Sequence, residues 1–215
     1  MDSVQTMSST RSTRWILTAA MGVAIIAVGA TLVIRGESIS TRGDAEFTAQ
    51  QQALRQAFGV FPDGSQSGAD SGTGAASRTS IALLAIPSIG VDVVVVDYYQ
   101  YADLEAAVGR MRNSSQIGTD GSAVIVGHRT GFGSPFRDLD DVALGDQLEI
   151  TQRDGSVLAF TVVRNDIVEP SIDLSTYDSD KDLPQVILVT CHPEYSTDQR
   201  IVIVAELRGD AAESA

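Results

Sequence analysis

Two short apolar runs near the C-terminus place the strongest constraint on the fold. Residues 186–191 read Val-Ile-Leu-Val-Thr-Cys, and residues 200–207 read Arg-Ile-Val-Ile-Val-Ala-Glu-Leu. Runs of this length that are rich in β-branched residues are typical of buried strands. Because the loop between them, residues 192–199, is short, we predict that the two strands are antiparallel neighbours. Cys191 and Arg200 should then lie at the same edge of one sheet.

Cys191 is a candidate nucleophile. It is the only cysteine in the chain, which excludes an internal disulfide. A lone thiol at a strand end that faces a guanidinium is typical of a catalytic cysteine with a cationic neighbour. The alternative is that Cys191 is a small apolar residue packed on its strand, as single cysteines often are. The presence of a nearby base distinguishes the two interpretations.

The chain has two histidines that could serve as this base. His192 is adjacent to Cys191, and adjacent strand residues point to opposite faces, so His192 is poorly placed. His128 follows the apolar run 123–126 and Gly127, which predicts an imidazole just beyond the end of a buried strand. The alternative for His128 is a loop histidine whose ring is bonded to the backbone.

Taken together, these segments resemble the sortases. The resemblance rests on Gly-His-Arg-Thr-Gly-Phe-Gly-Ser-Pro-Phe-Arg-Asp-Leu at residues 127–139, Gly-Asp at 145–146, Thr-Cys-His-Pro at 190–193 and Arg200, in this order. It covers about residues 80–207. The Cys-His-Pro ending is most similar to the class E sortases of high-GC Gram-positive bacteria.

Similarity to the sortases implies a closed eight-stranded β-barrel with short helices that acts as a cysteine transpeptidase. Such an enzyme cleaves a C-terminal Leu-Ala-x-Thr-Gly or Leu-Pro-x-Thr-Gly sorting signal between Thr and Gly. It then transfers the protein to an amine of a cell-wall precursor or pilin. The resemblance implies Cys191, His128 and Arg200 as catalytic residues, with no cofactor and no metal. Thr190 either helps to shape the substrate pocket or is a strand threonine packed in the barrel.

The three side chains have complementary chemistry. Cys191 attacks a carbonyl carbon as a thiolate, and the N–H groups of Arg200 can stabilise the resulting oxyanion or hold the substrate backbone. Protonated His128 can donate to the departing amine, and neutral His128 can deprotonate an incoming amine. If an amine resolves the intermediate thioester the enzyme is a transpeptidase, and if water does it is a protease. The residues alone leave both outcomes open.

The N-terminal region predicts a membrane anchor. Residues 15–34 carry no charge, and these 20 residues are about what a helix needs to cross the hydrocarbon core. Arg11 and Arg14 favour a cytoplasmic N-terminus. We therefore expect a single-pass protein of the cell membrane with an extracellular catalytic domain; the alternative is a buried helix of a soluble protein. The net charge of −13 argues against a nucleic-acid partner.

Composition divides the chain into five parts: a cytoplasmic tail (1–14), the anchor (15–34), a stalk and flexible linker (35–78), a catalytic domain (79–209) and a tail (210–215). Within the stalk, residues 45–58 form either a short helix or an extended segment. Residues 62–77 are rich in Gly, Ser and Asp, which predicts a flexible linker because almost nothing there can be buried.

Strands dominate the predicted catalytic domain. Besides the two C-terminal runs, they are expected at residues 81–86, 91–96, 123–126, 147–152 and 157–165, with a hairpin turn at Asp154-Gly155. A short helix is expected from Leu104 to Arg110, with Asp103 as its cap. Residues 166–182 form a long acidic connection. The pattern predicts an all-β barrel or sandwich, and periodicity does not choose between the two.

Other residues are weaker candidates. Three acidic residues lie close together: Asp138, Asp140 and Asp141. They form either a calcium site or, since they lack the spacing of an EF-hand, a solvated face. Three tyrosines follow the second predicted strand: Tyr98, Tyr99 and Tyr101. They either line a groove or belong to the core and its rim.

Two further function classes stay open. The first is an exported cysteine hydrolase or protease, or another thiol enzyme of the wall such as an L,D-transpeptidase, although the Ser-x-Gly-Cys run of that family is absent. The second is a non-catalytic anchored β-domain in which Cys191 serves only as packing. That interpretation predicts no effect of Cys191→Ala on any transfer activity.

Overall fold

The computed structural model describes residues 43–59, 79–98, 100–177 and 183–207. The predicted anchor at 15–34, the linker at 62–77 and both predicted tails lie outside these residues. None of the helices in the described ranges is long and apolar enough to cross a membrane.

Eight strands of the described chain close into a barrel. They are β1 (Ser80–Ile86), β2 (Val91–Tyr98), β3 (Val108–Met111), β4 (Gly121–Val126), β5 (Gln147–Gln152), β6 (Val157–Val168), β7 (Pro184–His192) and β8 (Gln199–Leu207). Their order around the barrel is β1-β2-β3-β4-β7-β8-β6-β5, and β5 pairs with β1 to close it. The pairs β2–β3 and β4–β7 are parallel, and the other neighbours are antiparallel. The all-β class and the closed eight-stranded barrel are therefore confirmed.

The strand predictions agree with the observed elements, but the predicted helix from Leu104 to Arg110 is wrong. The chain instead forms a 3₁₀ turn at Tyr101–Glu105 and then enters β3. Val108 is fully buried in the barrel, and β3 pairs with both β2 and β4. Strand pairing on both sides outweighs the helix propensity of so short a segment. Asp103 still acts in a cap, since its carboxylate accepts a hydrogen bond from the backbone N–H of Gln100 at 3.0 Å.

Side chains from every strand fill the barrel interior. Alternate residues point inward, as in β1, where Ala82, Leu84 and Ile86 are buried. Phe136 and Leu139, from the loop after β4, pack into the same core. The alternation decides which side chains at each strand end are left on the outer face.

A helix covers one outer face of the barrel. The chain is helical over residues 43–58, here called α1, so the helix alternative for this segment is correct. Three of its apolar residues are buried: Phe47, Leu54 and Phe58. The side-chain amide of Gln51 donates to the Ala106 carbonyl at 2.7 Å and accepts from the Val94 backbone N–H at 2.7 Å. These bonds attach α1 to β2 and to the segment before β3.

The connection between β6 and β7 covers a second outer face, formed by β4, β7 and β8. The buried members of this outer cluster are Val124, Tyr177, Ile187, Val189, Val202 and Val204. Ile172 and Leu174 of the connection pack against it. The Arg164 guanidinium lies 4.5 Å from the centroid of the Tyr177 ring and bonds Asp166 at 2.8 Å. These contacts hold the β6–β7 connection against the barrel.

Candidate active site

Strand pairing brings Cys191 and Arg200 side by side, and His128 follows two residues after the end of the neighbouring strand β4. β4 and β7 are parallel neighbours, and their register ends where the Gly127 N–H donates to the Val189 carbonyl at 3.2 Å. Continued beyond that bond, the register places His128 opposite Cys191. On the other side of β7, Cys191 pairs with Arg200 of β8. The predicted antiparallel pairing of the two C-terminal strands is thus confirmed.

The three side chains belong to the outer face of the barrel. Cys191 and Arg200 each lie two positions from a member of the outer cluster on the same strand, so both point to that face. His128 lies two positions beyond Val126, which packs against the cluster at the end of β4. In β7, for example, Val189 belongs to the cluster and Cys191 lies two positions further along. Cys191 is half-buried and forms no disulfide. A substrate lying on this face would therefore meet the thiol, the imidazole and the guanidinium together.

The Arg200 guanidinium donates some of its hydrogen bonds to the chain segment around the start of β8. Its Nη1 donates to the Thr197 carbonyl at 2.9 Å and to the Gln199 carbonyl at 2.7 Å. Its Nε and Nη2 have no hydrogen-bond partner within the described residues. A guanidinium carries five N–H donors in a fixed plane, so Arg200 keeps donors for an oxygen on the outer face.

The His128 ring lies between two aromatic rings. Tyr101 meets it edge-on, with centroids 5.3 Å apart and an angle of 76°, and Phe132 lies at 5.1 Å with an angle of 33°. Burial lowers the pKa of His128, and the negative charge of Glu105 partly opposes this effect. The Nε2 atom is buried without a hydrogen-bond partner among the described residues. The surroundings therefore favour the neutral imidazole.

Phe132 belongs to a loop with an unusual backbone. Four consecutive residues have positive φ: Gly131 (75°), Phe132 (48°), Gly133 (72°) and Ser134 (46°). Non-glycine residues rarely adopt such angles, so tertiary contacts must hold the loop. Two of these contacts come from α1, because Asp44 Oδ1 accepts a hydrogen bond from the Gly133 N–H at 3.1 Å and the Phe47 ring packs directly on Gly133. The helix thus supports the loop that places Phe132 against His128.

Gly127 and Thr190 fix the backbone just before His128. A Cβ atom on Gly127 would lie 2.7 Å from Cδ2 of Phe136 and 2.9 Å from Cγ1 of Val108, so close packing requires glycine here. Thr190 is 3% exposed, and its Oγ1 donates to the Gly127 carbonyl at 2.9 Å. The structure therefore places Thr190 on the inner side of β7, bonded to the backbone just after β4. It does not lie with Cys191, Arg200 and His128, which are called the outer row below.

His192 points away from the outer row, as the alternation of β7 predicts. Its Nδ1 lies 3.0 Å from Nη1 of Arg129. Arg129 also donates from Nη2 to Oδ2 of Asp140 at 2.7 Å. Partial burial raises the pKa of Asp140, but the hydrogen bond from Arg129 and the charge of Arg129 outweigh this effect, and the pKa is lowered. Asp140 is therefore a partner of Arg129, and no group of three or more metal-binding side chains occurs within the described ranges.

Comparison with known proteins identifies the family. A family model of the sortase domain matches residues 84–208, which is more than half of the chain. The chain belongs to the sortase family. It is 26% identical over 180 residues to Sortase D of Bacillus subtilis (strain 168), covering 80% of this chain and 88% of that protein. As a sortase, it is a cysteine transpeptidase.

Solved sortase structures have the same fold. A Clostridium perfringens Sortase D5 transpeptidase matches with a TM-score of 0.60 and 22% identity, over 77% of this chain and 99% of that one. Sortase A from Corynebacterium diphtheriae matches with a TM-score of 0.59 and 24% identity, over 80% and 86%. Matching structures include sortases lettered A, C, D and E, so the class E assignment stays a prediction.

The residues that surround the outer row of this sortase are not evident from the sequence. Phe132 carries no signal in the sequence beyond its place between Gly131 and Gly133. Tyr101 was assigned to a groove or to the core and rim; it is 62% exposed and contacts His128. Tyr99 and the side chain of Tyr98 lie outside the described residues. Arg129 gave no separate signal, because its partners are distant in sequence.

Proposed function

We propose that this sortase is a single-pass membrane enzyme that acts outside the cell on proteins with a C-terminal sorting signal. The signal is of the Leu-Ala-x-Thr-Gly or Leu-Pro-x-Thr-Gly type, cleaved between Thr and Gly, and the acceptor is an amine of a cell-wall precursor or pilin. The observation that carries the proposal is the pairing of Cys191 with Arg200 beside the end of β4, which His128 follows by two residues. The uncharged run at residues 15–34 supports the membrane anchor.

In the first half-reaction, the Cys191 thiolate attacks the carbonyl carbon of the substrate threonine. The sulfur–carbon bond forms as the carbonyl oxygen becomes an oxyanion, which accepts hydrogen bonds from Arg200. The bond to the glycine nitrogen then breaks, and protonated His128 donates its proton to that nitrogen. The product is a thioester between Cys191 and the threonine.

In the second half-reaction, the acceptor amine attacks the thioester carbonyl. Neutral His128, which its buried surroundings favour, takes the proton from the amine. The carbon–sulfur bond breaks, the Cys191 thiolate leaves and a new amide is released. In this scheme Thr190 acts on the substrate only through Gly127, since its hydroxyl is bonded to that carbonyl.

The test uses the full-length chain in detergent micelles with fluorescent peptides that carry each of the two signals. Incubation with a small primary amine should give an amide product, and omission of the amine should leave a peptide adduct on Cys191 in the intact mass. A peptide with the Thr-Gly order reversed is the matched control and should give neither species. Peptide cleavage with water as the only acceptor would indicate an exported hydrolase. The absence of an adduct with either signal would contradict the proposed substrate class.

The proposed location is tested separately in cells. The full-length protein should fractionate with the membrane, and protease added outside should digest the catalytic domain. Recovery of the protein in the cytosolic fraction would contradict the anchor.

A further inference from the structure

A second constellation of side chains lies directly behind the outer row. His192 follows Cys191 in β7, so it projects to the face opposite the thiol. Arg129, which follows His128 beyond the end of β4, meets His192 there. Arg129 is 6% exposed. Its Nη1 lies 3.0 Å from Nδ1 of His192, and its Nη2 donates to Asp140 at 2.7 Å. The residues that follow the base and the nucleophile are thus bonded to each other.

The chemistry of the two groups fixes the direction of the bond. A guanidinium has only donors, so in this bond the Nδ1 atom of His192 is the acceptor. The Nε atom of Arg129 is buried without a partner among the described residues. The bonds to His192 and Asp140 are therefore the ones that compensate the burial of this charge.

Backbone pairing between β4 and β7 stops short of His128 and Cys191. β4 ends at Val126, and the last backbone bond between β4 and β7 is that from the Gly127 N–H to the Val189 carbonyl. Beyond this point, the bonds that join the two chain segments come from side chains: Thr190 to the Gly127 carbonyl, and Arg129 to His192. The relative position of His128 and Cys191 thus depends on side-chain bonds.

Asp140 connects the bonded pair of Arg129 and His192 to the rest of the barrel. Asp140 belongs to the 3₁₀ turn Leu139–Asp141, and Leu139 is fully buried in the core. The segment is fixed to β6, because the Asn165 side-chain amide donates to the Val142 carbonyl at 2.7 Å. Arg129 is therefore held at a rigid point of the barrel while it bonds His192.

We propose that the Arg129–His192 hydrogen bond, anchored by Asp140, is a brace that sets the distance between the His128 imidazole and the Cys191 thiol. Arg129 and His192 are positioning residues that touch no substrate. The inference rests on the proposed catalytic roles of His128 and Cys191. Removal of the brace lets the two catalytic residues separate, and a displacement of about 1 Å at a reacting centre is enough to reduce turnover by about 100-fold.

The test compares His192→Asn with His192→Leu in the full-length chain. Asparagine places an acceptor oxygen near the position of Nδ1, whereas leucine has a similar size and no acceptor. We expect His192→Leu to lower kcat by about 10- to 100-fold with KM nearly unchanged, because substrate binding does not use the brace. His192→Asn should retain kcat within about threefold of the unchanged chain. Thermal unfolding of both variants checks that they fold.

Equal kcat values for His192→Leu and the unchanged chain would overturn the brace, as would an equal loss in the Leu and Asn variants. A loss confined to KM would also contradict it, since that result indicates direct contact with substrate. A second measurement does not depend on the peptide: the rate at which iodoacetamide alkylates Cys191, a reaction of the thiolate whose rate should change with the position of His128. A slower rate in His192→Leu than in His192→Asn supports the brace even if neither peptide is a substrate, and equal rates overturn it.

Discussion

The ends of β4 and β7 present opposite kinds of side chain on their two faces. On the outer face, Cys191 is half-buried and is aligned with His128 and with a guanidinium that retains donors for substrate. On the inner face, Thr190 and Arg129 are 3% and 6% exposed, and both are hydrogen-bonded across the two strands. The outer face thus presents the residues to which we assign the chemistry, whereas the inner face carries side-chain hydrogen bonds that join the two chain segments.

Replacement of the outer thiol gives the largest expected effect. Cys191→Ala should abolish both adduct and amide product, because no other cysteine exists in the chain. The free energy of unfolding should change by no more than about 1 kcal/mol, since the side chain is only half-buried. Product assays and urea unfolding check both expectations. Retained transfer activity would place the nucleophile elsewhere.

Arg200→Lys tests whether the guanidinium itself is needed on the outer face. Lysine keeps the charge but loses the planar set of donors, so we expect kcat to fall by about 100- to 1,000-fold. The matched control is Arg153→Lys: Arg153 donates from Nε to the Ser80 carbonyl in another part of the barrel. Equal activities of the two variants would show that Arg200 does not stabilise the oxyanion.

The support that α1 gives to the loop of Phe132 is tested by a matched pair of glycine substitutions. Gly131→Ala and Gly133→Ala both place a side chain at positive φ, which costs about 1 kcal/mol each. Only Gly133→Ala also clashes with Phe47, since nothing lies within 4 Å of a Cβ on Gly131. We expect Gly133→Ala to destabilise the protein by about 1–3 kcal/mol more than Gly131→Ala and to lower kcat more. Equal losses of stability and of kcat in the two variants would show that contact with α1 does not support the loop that carries Phe132.

Thr190→Val probes the inner face beside the nucleophile. The change keeps the shape of the side chain and removes its hydrogen bond to the Gly127 carbonyl. We expect the free energy of unfolding to fall by about 1 kcal/mol, with a severalfold lower kcat and an unchanged KM. A rise in KM alone, measured with either signal peptide, would instead assign Thr190 to substrate binding.

The smallest effect concerns the titration of His128. Burial lowers its pKa below the ordinary 6.5, so the folded chain binds fewer protons than the unfolded chain near that pH. This contribution makes the protein less stable as the pH falls through the ordinary value. Phe132→Ala exposes the His128 ring to water, and we expect the midpoint of the His128 titration, followed by proton NMR, to rise. Tyr101→Phe is the control, because it keeps an aromatic ring on each side of His128. An unchanged midpoint would show that Phe132 does not bury the imidazole.

The local sequence pattern was sufficient to predict that Cys191 and Arg200 are neighbours. Cys191 and Arg200 lie on consecutive strands joined by a short loop, so their pairing followed from strand direction alone. His128 lies on a strand parallel to β7 and far from it in sequence, and no local pattern sets such a register. The resemblance to sortases, rather than periodicity, assigned His128 to the same site.

Non-local contacts explain what the sequence did not show. The segment at residues 104–110 has helix-forming residues, but β3 pairs with strands on both sides. The bond from the Gly133 N–H to Asp44 and the one from Arg129 to His192 join residues that are 89 and 63 positions apart. Such contacts depend on the closed barrel, which brings these segments together.

The most direct test of the division between the two faces is a crystal structure of the protein with a trapped peptide. The peptide ends in a chloromethyl ketone in place of the scissile Thr-Gly amide, so that the sulfur of the nucleophile displaces chloride and forms a thioether. We predict a bond to Sγ of Cys191, a peptide lying on the outer face beside the β6–β7 connection, and the ketone oxygen hydrogen-bonded to Arg200, with the bond between Arg129 and His192 intact. A peptide bound elsewhere, or an adduct whose oxygen faces neither Arg200 nor His128, would contradict the proposed site.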